Sequence, residues 1–88
     1  MIRNKNFEIV TVANESMAVP VGEEAANFHG VVALSESAAF LLKCLNEQHT
    51  MEEIVDLFLK EYEVDRSTVE KNINEIMPKL IELKLILK

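Results

Sequence analysis

The stretch from Gly30 to Leu45, GVVALSESAAFLLKCL, constrains the fold most, because a short apolar strand pattern runs with almost no loop into an apolar helix pattern. Val31, Val32, Ala33 and Leu34 are strand material, β-branched at half their positions. Ser35 or Ser37 then offers a hydroxyl to the free amides of a helix start, and Ala38 to Leu45 continues with good helix formers. Ala38, Leu41, Leu42 and Leu45 fall at i, i+3, i+4 and i+7, while Ala39, Phe40 and Cys44 make the remaining faces apolar too. A helix with so little polar surface is buried on more than one side. The spacing therefore predicts the central helix of the domain, with a strand joined to its front.

Ahead of this seam, Phe7 to Val12 and Met17 to Val21 are β-branched and partly alternating, and Ala13-Asn14-Glu15-Ser16 supplies turn chemistry between them, which predicts a hairpin. Pro20 lacks an amide proton and belongs at a strand end, a bulge or an outward position. Gly22 to Gly30 shows no period and reads as a loop, with Phe28 as its apolar anchor. Beyond the seam, Thr50-Met51-Glu52-Glu53 is a capping box opening a second helix, whose buried stripe is Met51, Ile54, Val55, Phe58 and Tyr62. Ser67-Thr68-Val69-Glu70 reads as another capping box, opening a third helix. There Val69, Ile73, Ile76, Leu80 and Leu83 form a narrow seam that Met77 and Ile81 widen on one flank. Pro78 falls inside this helix, and because the apolar period survives across it a kink is expected rather than a stop. Leu85-Ile86-Leu87 reads as a short terminal strand or a docking tail.

The order is an α+β arrangement: a three-stranded antiparallel sheet followed by three helices, the last two resembling a helix-turn-helix pair. At 88 residues the expected organisation is a single domain, 1–88, with a modest core, since so small a chain hides only about 60% of its unfolded surface. No apolar run approaches the roughly 20 residues that span a bilayer, and MIRNKNFE lacks the apolar stretch of a signal peptide. A cytoplasmic protein with no membrane partner is expected, and a single cysteine fits a reducing compartment.

Little in the chain carries reaction chemistry. His29 and His49 have no partner at metal-ligand spacing, and Cys44 lies in an apolar helix, where a thiol is poorly ionised. There is no phosphate-binding glycine loop, serine elbow or HExxH, so no catalytic residue, metal or cofactor is expected. The net charge of −6 repels nucleic acid. Residues 1–63, with four basic and eleven acidic groups, carry all of it, while residues 64–88, with five and four, are nearly neutral. Met77, on the widened flank of the third helix, is the methionine best suited to partner contact.

Taken together, FHGVVALSESAAFLLKCL, HTMEEIVDLFLKEYEVD and VEKNINEIMPKLIELKLI resemble the family of the pyrroloquinoline quinone biosynthesis protein D, the PqqD-like proteins, from Phe7 to Ile86. The family's pattern appears as Leu34-Ser35, Ser37-Ala38-Ala39-Phe40, Thr50-Met51-Glu52-Glu53-Ile54-Val55, Tyr62-Glu63-Val64-Asp65 and the closing run from Leu80 to Ile86. Ser35 stands where that family usually has Asn, Asn72 where it has Asp, and Lys84 where it has Gly; Pro78 is atypical. Lys84 makes a left-handed helix end less comfortable.

The resemblance implies a winged-helix-like, non-enzymatic peptide-binding domain, a chaperone of ribosomally made, post-translationally modified peptide (RiPP) pathways. Such a domain holds the leader of a precursor peptide for a modifying enzyme, often a radical S-adenosylmethionine enzyme. By that analogy the leader adds as a strand to Val31, Val32, Ala33 and Leu34 and lies against the third helix, contacting Ile73, Met77 and Ile81, with Lys71 and Lys79 pairing acidic leader residues. Ile76 and Leu80 are then assigned to the core. Two other readings compete. One is a winged-helix DNA-binding regulator, disfavoured by the charge and by Arg66 being the one arginine near the presumed recognition helix. The other is a homodimerisation module that pairs the same strand edge with its copy.

Overall fold

A single residue, Ser35, separates strand from helix at the expected seam. Its backbone is extended (φ −68°, ψ 163°) and its Oγ accepts from the Ala38 N–H at 3.1 Å. The computed structural model describes residues 2–27 and 30–87, so Phe28, the expected loop anchor, and His29 lie outside the described residues. In chain order the elements are β1 (Ile2–Arg3), β2 (Phe7–Val12), β3 (Glu15–Pro20), α1 (Glu23–Asn27), β4 (Val32–Leu34), α2 (Glu36–Cys44), α3 (Met51–Glu61), α4 (Arg66–Glu82) and β5 (Ile86–Leu87). The architecture is α+β, built on a three-stranded antiparallel sheet in the order β2-β3-β4.

The hairpin is tighter than the sequence reading. Only Ala13 and Asn14 turn the chain, both left-handed (φ 50° and 66°), and β3 starts at Glu15. Two left-handed residues give the twist that joins adjacent strands without splaying them. The expected loop between the glycines contains α1, a single helical turn too short to show an apolar period but made of good helix formers, Glu-Glu-Ala-Ala. Val31 lies just ahead of β4 and is 53% exposed.

The capping box at Thr50 forms as expected. Thr50 Oγ1 accepts from the Glu53 N–H at 3.2 Å, and Glu53 Oε1 accepts from the Thr50 N–H at 2.8 Å. The next helix begins earlier than the Ser67 box implies. Asp65 is its N-cap, accepting from the Thr68 N–H at 3.0 Å, because an ionised carboxylate serves both the free amides and the helix dipole. Starting there puts Arg66 in reach of Asp56 on α3, with Nη2 to Oδ1 at 2.6 Å. The helix continues through Pro78, which cannot donate to the Asn74 carbonyl one turn before it; both residues are exposed.

Phe7, Ala18, Leu41, Leu42, Leu45, Ile54, Val55, Phe58, Val69, Ile73, Met77, Leu80, Leu85 and Ile86 are buried in one core. Phe40, Phe58 and Tyr62 close one side of it with rings 4.8 to 5.9 Å apart, two of the three pairs edge-to-face. Four expected core residues are corrected: Met51, in the first turn of α3, and Leu83, at the end of α4, are 37% and 38% exposed, and Tyr62 and Ile76 are only half-buried.

The two ends of the chain are fastened together. β1 and β5 pair antiparallel, so the terminal run is a strand, and its partner, β1, carries no sequence pattern of its own. Asn4, buried to 6% exposure, donates from Nδ2 to the Lys84 carbonyl at 2.9 Å and accepts at Oδ1 from the Asn6 N–H at 2.9 Å. Lys84 is left-handed (φ 64°), and bonds from Lys84 N–H to Ile81 O (3.0 Å) and Leu85 N–H to Leu80 O (2.9 Å) complete a Schellman turn on a residue that is not glycine.

Lys84→Gly is expected to raise stability by about 1 kcal/mol, since the left-handed conformation costs an L-residue ~1–2 kcal/mol. Asn4→Ala should lower it by about 2 kcal/mol, because it orphans a carbonyl and an amide; urea unfolding of both variants checks this. The capping carboxylates give a pH dependence. Glu53 is held below its ordinary range chiefly by the Thr50 backbone bond, and Asp65 by the hydroxyl and amide of Thr68. Depressed folded values mean that stability is present above pH ~4 and is lost as the pH falls through them. In an acid titration followed by circular dichroism, Glu53→Gln and Asp65→Asn, which remove the titrating carboxylates, should each flatten that loss.

Candidate functional site

β4 is the terminal strand of the sheet, hydrogen-bonded to β3 on one side, and among the described residues no strand pairs with its other edge. Alternate residues of an edge strand direct an N–H and a C=O outward, so the edge is a template for one more strand. The opposite edge, on β2, is less open: Arg3 Nη1 donates to the Phe7 carbonyl at 2.7 Å.

Val32 and Leu34 are half-buried and lean on the core, whereas Ala33 points to the other face and is exposed. The core they lean on is the one that holds Ile73, Met77 and Leu80 of α4, with Ile81 packed at its margin. Edge strand and helix thus converge on one apolar body. Met77, Pro78 and Ile81, with Asn74 and Glu82, line an open cleft of about 410 Å3 on α4.

The residues named from the sequence divide. Ile73 is fully buried, and Met77 is 7% exposed, presenting only its margin to the cleft. The expectation of a contact surface is therefore corrected for Ile73, which supports the wall from within. Ile81 is half-buried and open to the cleft. Lys71 and Lys79 are exposed. At about 100° per residue, Lys79 lies roughly 160° around the helix from both Met77 and Ile81, while Lys71 is only ~20° from Pro78. Only Lys71 can serve the cleft. Asn74 and Pro78 line it as well; the sequence marks Pro78 only as the site of an expected kink, and the signal for its place in the cleft is its position one residue after Met77 and three before Ile81.

Among the described residues the other clefts hold no cluster of metal-ligating side chains. The one between the hairpin and α2, about 400 Å3, is lined by Thr11, Ser16, Leu34, Phe40, Lys43 and Tyr62 among others. Burial, then Glu36 and Glu61, push the Tyr62 hydroxyl up, so it is a poor proton donor. Among the described residues no group of three or more His, Cys, Asp or Glu side chains could hold a metal ion. No helix is long and apolar enough to cross a membrane, among the same residues.

The family model described as Coenzyme PQQ synthesis protein D (PqqD) matches residues 8–86. No curated protein sequence matches the chain significantly. Among solved structures, one described as TbiB1 in complex with the TbiA(beta) leader peptide is similar, with a TM-score of 0.72 and 24% sequence identity over 97% of this chain and 93% of that one.

Cys44 is free, and burial, followed by the charge of Glu61, raises its pKa. At pH 8 its reaction with a disulfide reagent is expected to be slower than that of free cysteine, since only the thiolate attacks; a stopped-flow or spectrophotometric time course measures it.

Proposed function

Because the chain belongs to the PqqD family, coenzyme PQQ synthesis protein D, we propose that it is a single-domain, non-catalytic peptide-binding protein that receives the leader of a ribosomally made precursor as a strand on the open edge of β4. The leader is then presented to a peptide-modifying enzyme of the radical S-adenosylmethionine class. The single observation that carries the reading is the terminal place of β4 in the sheet. An extended segment adding there satisfies its own backbone and that of Val32 to Leu34, and alternate side chains fall on the inner face, the side of the core; on this reading they extend to the α4 cleft of Met77, Pro78 and Ile81. Lys71, exposed on the cleft's side of α4, is the residue proposed to meet an acidic leader residue. The similar structure, TbiB1, is described as a complex with a leader peptide, which agrees with this reading.

The helix-turn-helix alternative loses ground on the same geometry. Exposed Glu75 stands between Lys71 and Lys79, four residues from each, and Arg66 is bonded to Asp56, so no continuous basic face is offered to phosphates. Pairing of β4 with a second copy would occupy the same edge as a leader. The two uses then compete.

A synthetic peptide carrying the leader of its precursor should shift the amide resonances of residues 32–34 and of α4 in a two-dimensional NMR titration. Ile81→Glu should weaken binding at least tenfold, about 1.4 kcal/mol, and Lys79→Glu should leave it within twofold. Shifts confined to β2 or α3 would remove the assignment.

A further inference from the structure

The cleft on α4 has apolar walls and hydrogen-bond acceptors at its rim. Met77, Pro78 and Ile81 give it carbon surface, and its other two residues, Asn74 and Glu82, are both exposed. Pro78 has no N–H, so the Asn74 carbonyl loses the donor that the next turn of a helix ordinarily supplies. Helical side chains lean toward the N-terminus. This carries the Glu82 carboxylate back over Pro78, one turn before it, and toward that carbonyl.

Glu82 is poorly placed for the helix itself. It stands in the last turn of α4, at the negative end of the helix dipole, where a carboxylate is destabilising. Among the described residues no cation lies within ion-pair distance of it, Lys79 three residues before it included. Lys71, on the same side of α4, is roughly 16 Å away along the axis and does not line the cleft. A carbonyl without its helical donor and an uncompensated carboxylate therefore meet in a cleft whose lining holds no cation.

These groups select among side chains. An apolar one laid across Pro78 would take the Asn74 carbonyl out of water without replacing its bond, which is unfavourable. An acidic one is repelled by Glu82 and by the helix end. A basic one meets both conditions: its methylene stem lies on Met77, Pro78 and Ile81, and its head donates to the carbonyl and to Glu82. The net charge of −6 favours the same sign of partner.

We propose that the α4 cleft seats one basic side chain of the leader, and that Pro78 determines this specificity by freeing the Asn74 carbonyl. The inference rests on leader binding at β4 for its occupant, but its chemistry belongs to five residues of one helix. Arginine suits the site better than lysine, because its planar head has donors on two edges and reaches two acceptors at once.

The test uses the full chain and, first, probes that need no strand. n-Butylguanidinium, n-butanol and n-pentanoate are titrated into isotope-labelled protein while the amide resonances of α4 are followed by NMR. n-Butylguanidinium should shift Met77 and residues 79–82 saturably and bind at least fivefold more tightly than n-butanol, and n-pentanoate should shift none of them. Pro78→Ala returns an N–H to the Asn74 carbonyl in a helix that gains a bond, so folding is not at risk. It and Glu82→Gln should each lower the ratio of guanidinium to butanol affinity at least threefold. If n-butylguanidinium leaves α4 unshifted, if n-butanol binds as tightly, or if Pro78→Ala keeps the ratio, the proposal is overturned. In the second arm each Arg or Lys of a synthetic leader of its precursor is replaced in turn by Gln, and affinity is read by fluorescence anisotropy. One replacement should weaken binding at least fivefold to the unaltered chain and less than twofold to Pro78→Ala. If the leader binds and no replacement weakens it, the basic seat is overturned while strand addition stands. If n-butylguanidinium occupies the cleft but the leader does not bind, the cation site stands and the leader reading falls.

Discussion

Between Leu34 and Glu36 one residue must end a strand and begin a helix, and the Ser35 Oγ bond to the Ala38 amide makes that possible. With no loop to travel, the chain leaves the sheet at once and lays Ala38, Leu41 and Leu42 over its inner face. It cannot turn back to form a strand next to β4. Among the described residues no strand pairs with that edge, and the cap explains why the chain that follows β4 does not supply one.

The parts legible in the sequence were those where a local rule and the tertiary structure agree. The Thr50 and Glu53 box forms because both partners lie within one turn, and the Lys84 departure is a left-handed residue because a Schellman turn requires one there. The parts that were not legible depend on distant partners. β1 has two residues and no period; it exists because Asn4 reaches across the chain to the Lys84 carbonyl and β5 lies beside it. Asp65 outcompeted Ser67 as a cap, a choice that the charge and the Arg66 to Asp56 bond decide together.

The candidate site shows the same division more sharply. A stripe stepping by three and four tells which side of α4 is apolar, but not how far the core covers it. Ile73 and Met77 were placed on a partner-facing flank and are buried, while Ile76, placed in the core, is half-open. The helix is wider in its apolar arc than its neighbours require, and only packing reveals which margin stays uncovered. For the hairpin, the alternation of Phe7 and Ile9 drew attention to the inner face, although Val10, Val12, Met17 and Val19 are equally apolar on the other.

An edge of three residues is a safe one to leave open. β4 is too short to nucleate extended pairing, and the acidic chain around it repels its own copies. The same shortness limits what main-chain bonds can give a bound peptide. A few hydrogen bonds, each worth about 1 kcal/mol net, do not offset the ~4 kcal/mol or more lost when a peptide is immobilised. Affinity must then come from side chains seated in apolar surface. In this chain the margin of Met77, Pro78 and Ile81 is the surface available on the helix side, so the edge would set the register of an incoming strand and the α4 cleft would decide which sequence stays.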